Sequence, residues 1–221
     1  MKQSKKSAIT RQKILDAAEQ EFAQNGFSSA TIDAIATSAG VNKQLIYAHF
    51  QNKENLYSIT LERVYSKLSE FEESLAELEF QSADAIRTIV EKYFSFLTSN
   101  PIFVRLMLWE NLNGATHVKG IRTNLFVGSE KLIRSGMEKG ILRSDIDASH
   151  TAMSINMFCF SAFSNVHTIS ALLGKDLSTT DELKKRADHI ADIFTKYMLS
   201  TRGSTPVCLA VGELSEPASN P

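Results

Sequence analysis

The sequence predicts an all-α protein in which a small N-terminal domain of three helices precedes a larger helical C-terminal domain. The chain has only four prolines, and three of them follow residue 205, so helix breakers are rare in its body. Apolar residues recur at three- and four-residue spacing, which indicates amphipathic helices. The 221 residues, 43% of them hydrophobic, suffice for one large or two modest helical cores.

Residues 1–8 are predicted to form a flexible basic arm. Five basic residues lie between Lys2 and Lys13 without an acid among them. The arm either contacts a DNA groove or phosphates, or it is a disordered solubilising tail. From residue 9 to 25 we predict an amphipathic helix, which Gly26 ends.

Residues 31–50 are predicted to form two short helices joined by a tight turn. Thr31 can cap the first helix, and Gly40 can take the positive φ that a sharp turn requires. The second helix, residues 42–49, opens with three polar residues, Asn42, Lys43 and Gln44. Such side chains at a helix N-terminus are typical of contacts to base edges in DNA. We expect the inner face of this helix to consist of Leu45, Ile46 and Phe50.

An ordered set of residues between about Thr10 and Leu56 shows a family resemblance. The set comprises Ile14, Ala17, Ala18, Phe22, Gly26, Phe27, Thr31, Ile35, Ala36, Ala39, Gly40, Val41, Ile46, Tyr47, His49, Phe50, Lys53, Glu54, Asn55 and Leu56. At this spacing the segment resembles the DNA-binding domain of the TetR family of bacterial transcriptional regulators. The resemblance implies that Thr31, Tyr47 and Lys53 contact phosphates and that positions 42–44 lie against bases.

Gln44 and His49 are two further positions of this segment that we expect to contact DNA. Many family members have a glycine or another small residue where this chain has Gln44, so base specificity does not carry over from a relative. We also expect His49 to hold the DNA backbone.

The segment after Phe50 predicts a long helix that starts at Lys53 and is capped by Asn52. A lysine at a helix N-terminus is unfavourable unless an anion binds there, which favours a phosphate contact. The alternative is an exposed lysine beside Glu54. With apolar residues continuing to Leu78, this helix is on the order of 40 Å long and connects the two domains.

These observations divide the chain into an arm (1–8), a helix-turn-helix domain (9–55), a helical regulatory and dimerisation domain (56–202) and a disordered tail (203–221). Within the third part we predict helices at about 82–98, 101–113, 117–139, 147–173 and 179–200. This part resembles the regulatory domain of the same family. A narrower similarity, to the pyrimidine-utilisation regulators, rests on Asn100, Pro101, Arg105, Leu106, Glu110, Gly114 and the helix after Asp147.

Residues 147–174 and 179–200 are predicted to form a homodimer interface of four helices. Two apolar stripes carry this prediction: Ala148, Ala152, Ile155, Cys159, Ala162 and Val166, then Leu183, Ala187, Ile190, Phe194 and Tyr197. The alternative is that both stripes pack inside one chain. Residues 148–174 contain no charged residue, but their many Ser, Asn and Thr side chains favour a buried helix over a membrane span.

Eight residues of the C-terminal half are predicted to line an effector pocket, because aromatic rings provide an apolar wall and polar groups orient a ligand. They are Phe103, Arg105, Trp109, Glu110, Asn113, Asn156, Phe160 and Phe163. Adaptable apolar lining is also expected from Met107, Met153, Met157 and Phe158. For each aromatic residue the alternative is ordinary core packing.

The sequence shows no set of nucleophile, base and orienting group, so we do not expect an enzyme. Its histidines, cysteines and carboxylates are not spaced like metal ligands, so no metal is expected, and no cofactor is expected either. The N-terminus lacks the apolar segment of a signal peptide, which predicts a cytoplasmic protein. We therefore predict a homodimeric DNA-binding transcriptional regulator, a repressor that a small-molecule effector releases from a palindromic operator. The alternatives are an effector-independent DNA-organising or protein-interaction module, and a small-molecule-binding protein or enzyme with a vestigial DNA-binding domain.

Overall fold

The computed structural model describes residues 2–119, 121 and 125–199. These ranges contain ten α-helices and one isolated antiparallel bridge, between Leu142 and Leu199. The helices are α1 (Lys2–Ser29), α2 (Ile32–Ala39), α3 (Lys43–Phe50), α4 (Lys53–Ala76), α5 (Asp84–Ser99), α6 (Pro101–Leu112), α7 (Val127–Glu138), α8 (Ala148–Ser164), α9 (Val166–Leu173) and α10 (Thr180–Met198). The all-α prediction is confirmed. The predicted tail, residues 203–221, lies outside the described residues.

Helix α1 begins at Lys2, inside the segment predicted as an arm, because no glycine or proline interrupts the chain before residue 26. The predicted helix end appears as a non-helical Gly26, with φ 69° and ψ 174°, after which a last helical turn leads to Ser29. Helices α1 to α3 enclose a core of side chains that are at most 1% exposed: Ile14, Ala18, Phe22, Ile35, Ile46 and Phe50.

The predicted inner face of α3 is partly wrong. Leu45 is 40% exposed, whereas Ile46 and Phe50 are buried. The latter two are one helical turn apart, so they share a face, while Leu45 lies about 100° around the helix axis.

Helix α4 extends from the N-terminal domain into the body and packs along α1, α6 and α7. Its backbone touches that of α7, because a Cβ on Gly128 would lie only 1.7 Å from the carbonyl oxygen of Glu72. The carboxylate of Glu72 is fully buried and accepts hydrogen bonds from the Ser129 N–H, at 3.1 Å, and from the Tyr93 hydroxyl. This buried network fixes α4 against α5 and α7.

Two predicted helices of the C-terminal half are shorter than expected. The helix predicted at 117–139 begins only at Val127, and residues 113–119 form turns instead. The helix predicted at 147–173 is interrupted at Asn165, which separates α8 from α9. Among the described helices, none has the length and apolar content needed to cross a membrane.

The face of α8 that was predicted to mediate dimerisation is buried inside the chain. Four of the six predicted stripe residues are at most 3% exposed, where α5, α7 and α10 lie against α8: Ala148, Ala152, Ile155 and Cys159. The other two, Ala162 and Val166, are half-buried. Burial of Cys159 raises the pKa of its thiol to about 12. On α10, Ala187, Ile190 and Phe194 are likewise buried, and only Tyr197 is exposed.

The large apolar side chains exposed on α8 are instead three that were predicted to line a pocket. Met153, Met157 and Phe158 are each about 40% exposed. The two faces of α8 were therefore assigned the wrong way round. Both faces are apolar, so periodicity alone does not show which one packs inward.

Candidate nucleic-acid interface

Three N-caps hold the helices of the N-terminal domain. The side-chain oxygens of Thr31, Asn42 and Asn52 each accept the amide N–H three residues later, at 3.1, 2.9 and 2.7 Å. Each cap satisfies one of the amide groups that a first helical turn leaves unpaired. The predicted caps at Thr31 and Asn52 are confirmed, whereas the cap at Asn42 was not predicted.

The turns between these helices set the angle of α3. Gly40 has the left-handed conformation expected of it, with φ 65° and ψ 38°. The Val41 N–H then donates to the Ala36 carbonyl at 3.0 Å. At the other end of α3, the side-chain amide of Asn55 donates to the Phe50 carbonyl at 3.0 Å. Helix α3 is therefore held at both ends, and its outer surface is presented as a rigid edge.

That outer surface carries three of the predicted DNA-contacting residues. Lys43, Gln44 and Tyr47 are all exposed, and Tyr47 lies one turn after Lys43. Lys43 forms an ion pair with Asp33 at 2.5 Å, but both side chains are more than half exposed. Such a pair contributes little stability, so the ammonium can exchange Asp33 for a phosphate at small cost.

Asn42 and Thr31 are partly committed to capping. The Asn42 oxygen accepts a backbone N–H, which leaves its amide nitrogen as the group available to DNA. The Thr31 oxygen also accepts a backbone N–H, and its hydroxyl proton remains free to donate.

Lys53 and His49 are less exposed than the rest of the predicted set. The Lys53 ammonium donates to the Ser28 carbonyl at 3.3 Å and lies 4.8 Å from the centroid of the Phe27 ring. It is thus directed at the end of α1, where it joins α1 to α4. The His49 ring is half-buried beside Phe50. The Lys53 contacts are between different helices, which local sequence patterns do not show.

Basic residues of α1 lie next to α3, an arrangement that residue spacing did not predict. The Arg11 guanidinium is 5.2 Å from the centroid of the Phe50 ring. Thr10 and Lys13 border a hollow of about 580 Å³ together with Asn42 and Leu45. The cluster of lysines and arginine before residue 14 was the feature that could have indicated this.

The eight residues predicted to bind an effector do not form one site. Arg105, Trp109 and Phe163 border a cleft of about 590 Å³, which α1, α5, α6 and the junction of α8 with α9 enclose. Phe103 instead packs in the core, where its ring contacts those of Tyr65 and Phe96.

The other four predicted residues lie elsewhere. Asn156 and Phe160 are each 8% exposed, and the Asn113 amide donates to the carbonyl of Trp109 at 2.7 Å. A second cavity, of about 530 Å³, lies between α8, α9 and α10 and includes Arg186 and His189. This cavity was not predicted. Among the described residues, no group of His, Cys, Asp and Glu is arranged to hold a metal ion.

The remaining predicted residue, Glu110, joins the two domains. Its buried carboxylate accepts hydrogen bonds from the Tyr57 hydroxyl at 2.9 Å and from the His117 N–H at 3.1 Å. The rings of Tyr57 and His117 also contact Phe27, at the end of α1. Because Tyr57 is in the first turns of α4, this contact ties α6 to the base of the N-terminal domain.

Comparison with known families accounts for most of the chain. The profile "Bacterial regulatory proteins, tetR family" matches residues 14–58, and "Tetracyclin repressor-like, C-terminal domain" matches residues 83–194. The HTH-type transcriptional repressor NicS of Pseudomonas putida is 32% identical over 178 residues, which cover 76% of this chain and 82% of that protein. The HTH-type transcriptional repressor SCO4008 of Streptomyces coelicolor is 29% identical over 195 residues, or 83% of this chain and 95% of that protein.

Solved structures agree on the fold. The crystal structure of the transcriptional regulator SCO4942 from Streptomyces coelicolor aligns with a TM-score of 0.66 at 24% identity, covering 86% of this chain and 98% of that one. At this identity the likeness concerns the fold alone. Together with the helix-turn-helix geometry and the two matching profiles, these comparisons establish that the chain belongs to the TetR family of bacterial DNA-binding transcriptional regulators.

Proposed function

We propose that this regulator is a homodimeric repressor, which binds a near-palindromic operator and is released from it by a small-molecule effector. The observation that carries the proposal is the exposed outer edge of α3, held at both ends by caps and turns. Two relatives are named transcriptional repressors, which supports repression as the direction of control.

The contacts to DNA divide into two groups. Lys43, Gln44 and the Asn42 amide contact bases, because they lie at the exposed N-terminal end of α3. Tyr47 and His49 of α3 hold the phosphate backbone, together with Thr31 and Lys53 at the N-terminal ends of α2 and α4. Two copies of α3 then enter successive major grooves about 34–36 Å apart.

The exposed apolar surface of α8 and α9 supports dimerisation within the segment 147–174. Besides the three residues on α8, the exposed apolar side chains there are Ile169, Leu172 and Leu173. Leu172 and Leu173 are 78% and 65% exposed, an unfavourable state for large aliphatic side chains in water. A second copy that covers this surface buries them in an isologous interface, to which Tyr197 of α10 adds.

Selection of bound sequences from a random DNA pool, at near-physiological salt, tests the proposal directly. We expect a palindrome whose half-sites are separated by about one helical turn or a multiple of it. Recovery of no sequence above background, from protein shown to be folded and dimeric, would contradict the regulator function proposed here.

A substitution on α8 tests the dimer. Met157→Glu places a charge on the exposed apolar surface and is expected to yield monomers, measured as a halved mass by light scattering. Val127→Glu is the control, because Val127 is 54% exposed at the start of α7, where an acid suits the helix dipole. A dimeric Met157→Glu protein would show that the interface lies elsewhere.

Three alanine substitutions test the division of DNA contacts. Tyr47→Ala and Lys53→Ala are expected to weaken binding to all sequences. Lys53→Ala is also expected to reduce the slope of log K against log salt by about 1 for each subunit, or about 2 for the dimer. Gln44→Ala is expected to change the preferred base at symmetric positions of the selected operator. Uniform losses from all three, without a change in preferred sequence, would contradict these roles.

A further inference from the structure

We propose that the cleft between the two domains binds a small amphipathic anion, and that this ligand acts on the DNA-binding domain directly through α1. The cleft has a volume of about 590 Å³, which suits a molecule of metabolite size. Ala23 and Gln24 of α1 form one wall, so the N-terminal domain itself is part of the site. The regulatory meaning of the site rests on the proposed function, but its ligand chemistry does not.

The charge of the lining indicates an anion. The lining includes the guanidinium of Arg105 and the imidazole of His167, and among the described residues it includes no aspartate or glutamate. Arg105 is exposed, and within the described ranges it forms no ion pair. The contrast is with four other arginines, each of which pairs with a carboxylate: Arg63, Arg87, Arg134 and Arg143. A free guanidinium beside an apolar cleft is suited to bidentate binding of a carboxylate.

The rest of the lining indicates an apolar ligand body. The cleft wall includes the side chains of Leu97, Val104, Leu108 and Phe163 and the indole ring of Trp109. Burial of an alkyl or aromatic group against these side chains provides affinity, and Arg105 then fixes the orientation of the charged end. The ligand class is therefore an aromatic or aliphatic carboxylate rather than a sugar or a polyamine.

Trp109 connects the cleft to α1. Its indole N–H donates to the Ala23 carbonyl at 3.2 Å. Its ring packs so closely on Gly26 that a Cβ there would lie 2.9 Å from two ring carbons. Gly26, with φ 69°, is where α1 bends towards α2. A ligand that displaces the Trp109 ring therefore changes how α1 sits on α6, and with it the position of α3.

Release from DNA requires differential affinity. The ligand shifts the equilibrium only if it binds the displaced arrangement more tightly than the DNA-binding one. The wall formed by Ala23 and Gln24 provides this difference, because any movement of α1 changes the shape of the cleft.

Fluorescence of Trp109 tests ligand binding without DNA, because it is the chain's single tryptophan. The probes are two carboxylates, octanoate and phenylbutyrate, each compared with its neutral amide. We expect a saturable change in emission, with the carboxylates binding about tenfold to a hundredfold more tightly than the amides, as for hydrogen bonds to charged groups. Equal affinities for carboxylate and amide, or no saturable change with any probe, would overturn the assignment.

Two arginine variants locate the anion. Arg105→Gln is expected to abolish the preference for carboxylates over amides. Arg186→Gln is the matched control, since Arg186 borders the neighbouring cavity between α8, α9 and α10, and it is expected to retain the preference. The opposite pattern would place the ligand in that cavity and refute the proposal.

The coupling is measured separately, on the operator recovered by selection. The carboxylates are expected to weaken operator binding by the wild-type protein. The operator affinity of Arg105→Gln is expected to be the same with and without carboxylate. If the carboxylates bind but leave operator affinity unchanged, the coupling through α1 is wrong. If no operator is recovered, the proposed function fails while the fluorescence result still decides the ligand class.

Discussion

Replacement of Asn42 by serine and by alanine separates two roles of one side chain in α3. Its oxygen caps the helix by accepting the Leu45 N–H at 2.9 Å. Serine provides an equivalent cap and alanine provides none, and loss of such a cap costs about 0.5–2 kcal/mol. We expect Asn42→Ala to lower the free energy of unfolding by about 1 kcal/mol and Asn42→Ser to change it by a few tenths. Both substitutions remove the amide donor that is proposed to contact DNA.

Thermal unfolding at a fixed protein concentration measures the first role. For a chain of this size, 1 kcal/mol corresponds to a decrease in Tm of about 2–4 °C. Operator binding, measured well below the transition, is expected to weaken about fivefold to a hundredfold in both variants, as for one hydrogen bond lost in each half-site. Asn52→Ala is the control for cap loss, since Asn52 caps α4 at 2.7 Å. An unchanged Tm for Asn42→Ala would refute the cap, and unchanged affinity for Asn42→Ser would refute the DNA contact.

Two further predictions concern the body of the protein. Gly128→Ala drives a Cβ into a backbone carbonyl of α4 at 1.7 Å, whereas at Gly136 it meets side-chain atoms at 2.9 Å. Measured by urea unfolding, the free energy of unfolding is expected to fall about 2–4 kcal/mol more for Gly128→Ala than for Gly136→Ala. Equal decreases for the two variants would contradict the close approach of α4 and α7. Burial raises the pKa of Tyr65 to about 12. Burial, followed by a neighbouring carboxylate, also raises the pKa of Tyr57 and of Tyr93 well above the ordinary value. A tyrosine in the unfolded chain ionises as the pH rises through about 10, so the stabilising effect of these three residues is complete below that pH. Above it, the free energy of unfolding falls by about 1.4 kcal/mol per pH unit per tyrosine. We therefore expect tyrosinate absorbance to rise together with the loss of helical circular dichroism.

The sequence predicted the N-terminal domain well because its structure is determined locally. The caps at Thr31 and Asn52, the turn at Gly40 and the break in α1 at Gly26 each depend on residues within one helical turn. The same holds for Asp147, which caps α8 by accepting the His150 N–H at 2.8 Å.

The sequence failed where the outcome depends on contacts between distant segments. Both faces of α8 are apolar, and only packing against α5 and α10 decides that Ile155 is buried and Met157 exposed. The contacts of the Lys53 ammonium with a carbonyl and a ring at the end of α1 were likewise not predicted, because they join residues 25 or more positions apart in the sequence. The predicted effector residues were chosen by type, and residue type does not distinguish a ring in the core, such as Phe103, from one that lines a cleft, such as Phe163.

The two contacts at the C-terminal end of α6 have different strengths, which determines how the domains move in the proposed mechanism. The bond from Trp109 to Ala23 joins neutral groups, is only partly buried and borders the cleft. A bond of that kind contributes about 0.5–1.5 kcal/mol. The bond from Tyr57 to the buried Glu110 involves a carboxylate, and its loss strands a buried acceptor at a higher cost of about 1.5–3 kcal/mol. In the proposed mechanism we therefore expect a ligand in the cleft to break the first contact before the second. The N-terminal domain is then expected to pivot about the Tyr57–Glu110 bond rather than to detach from α6.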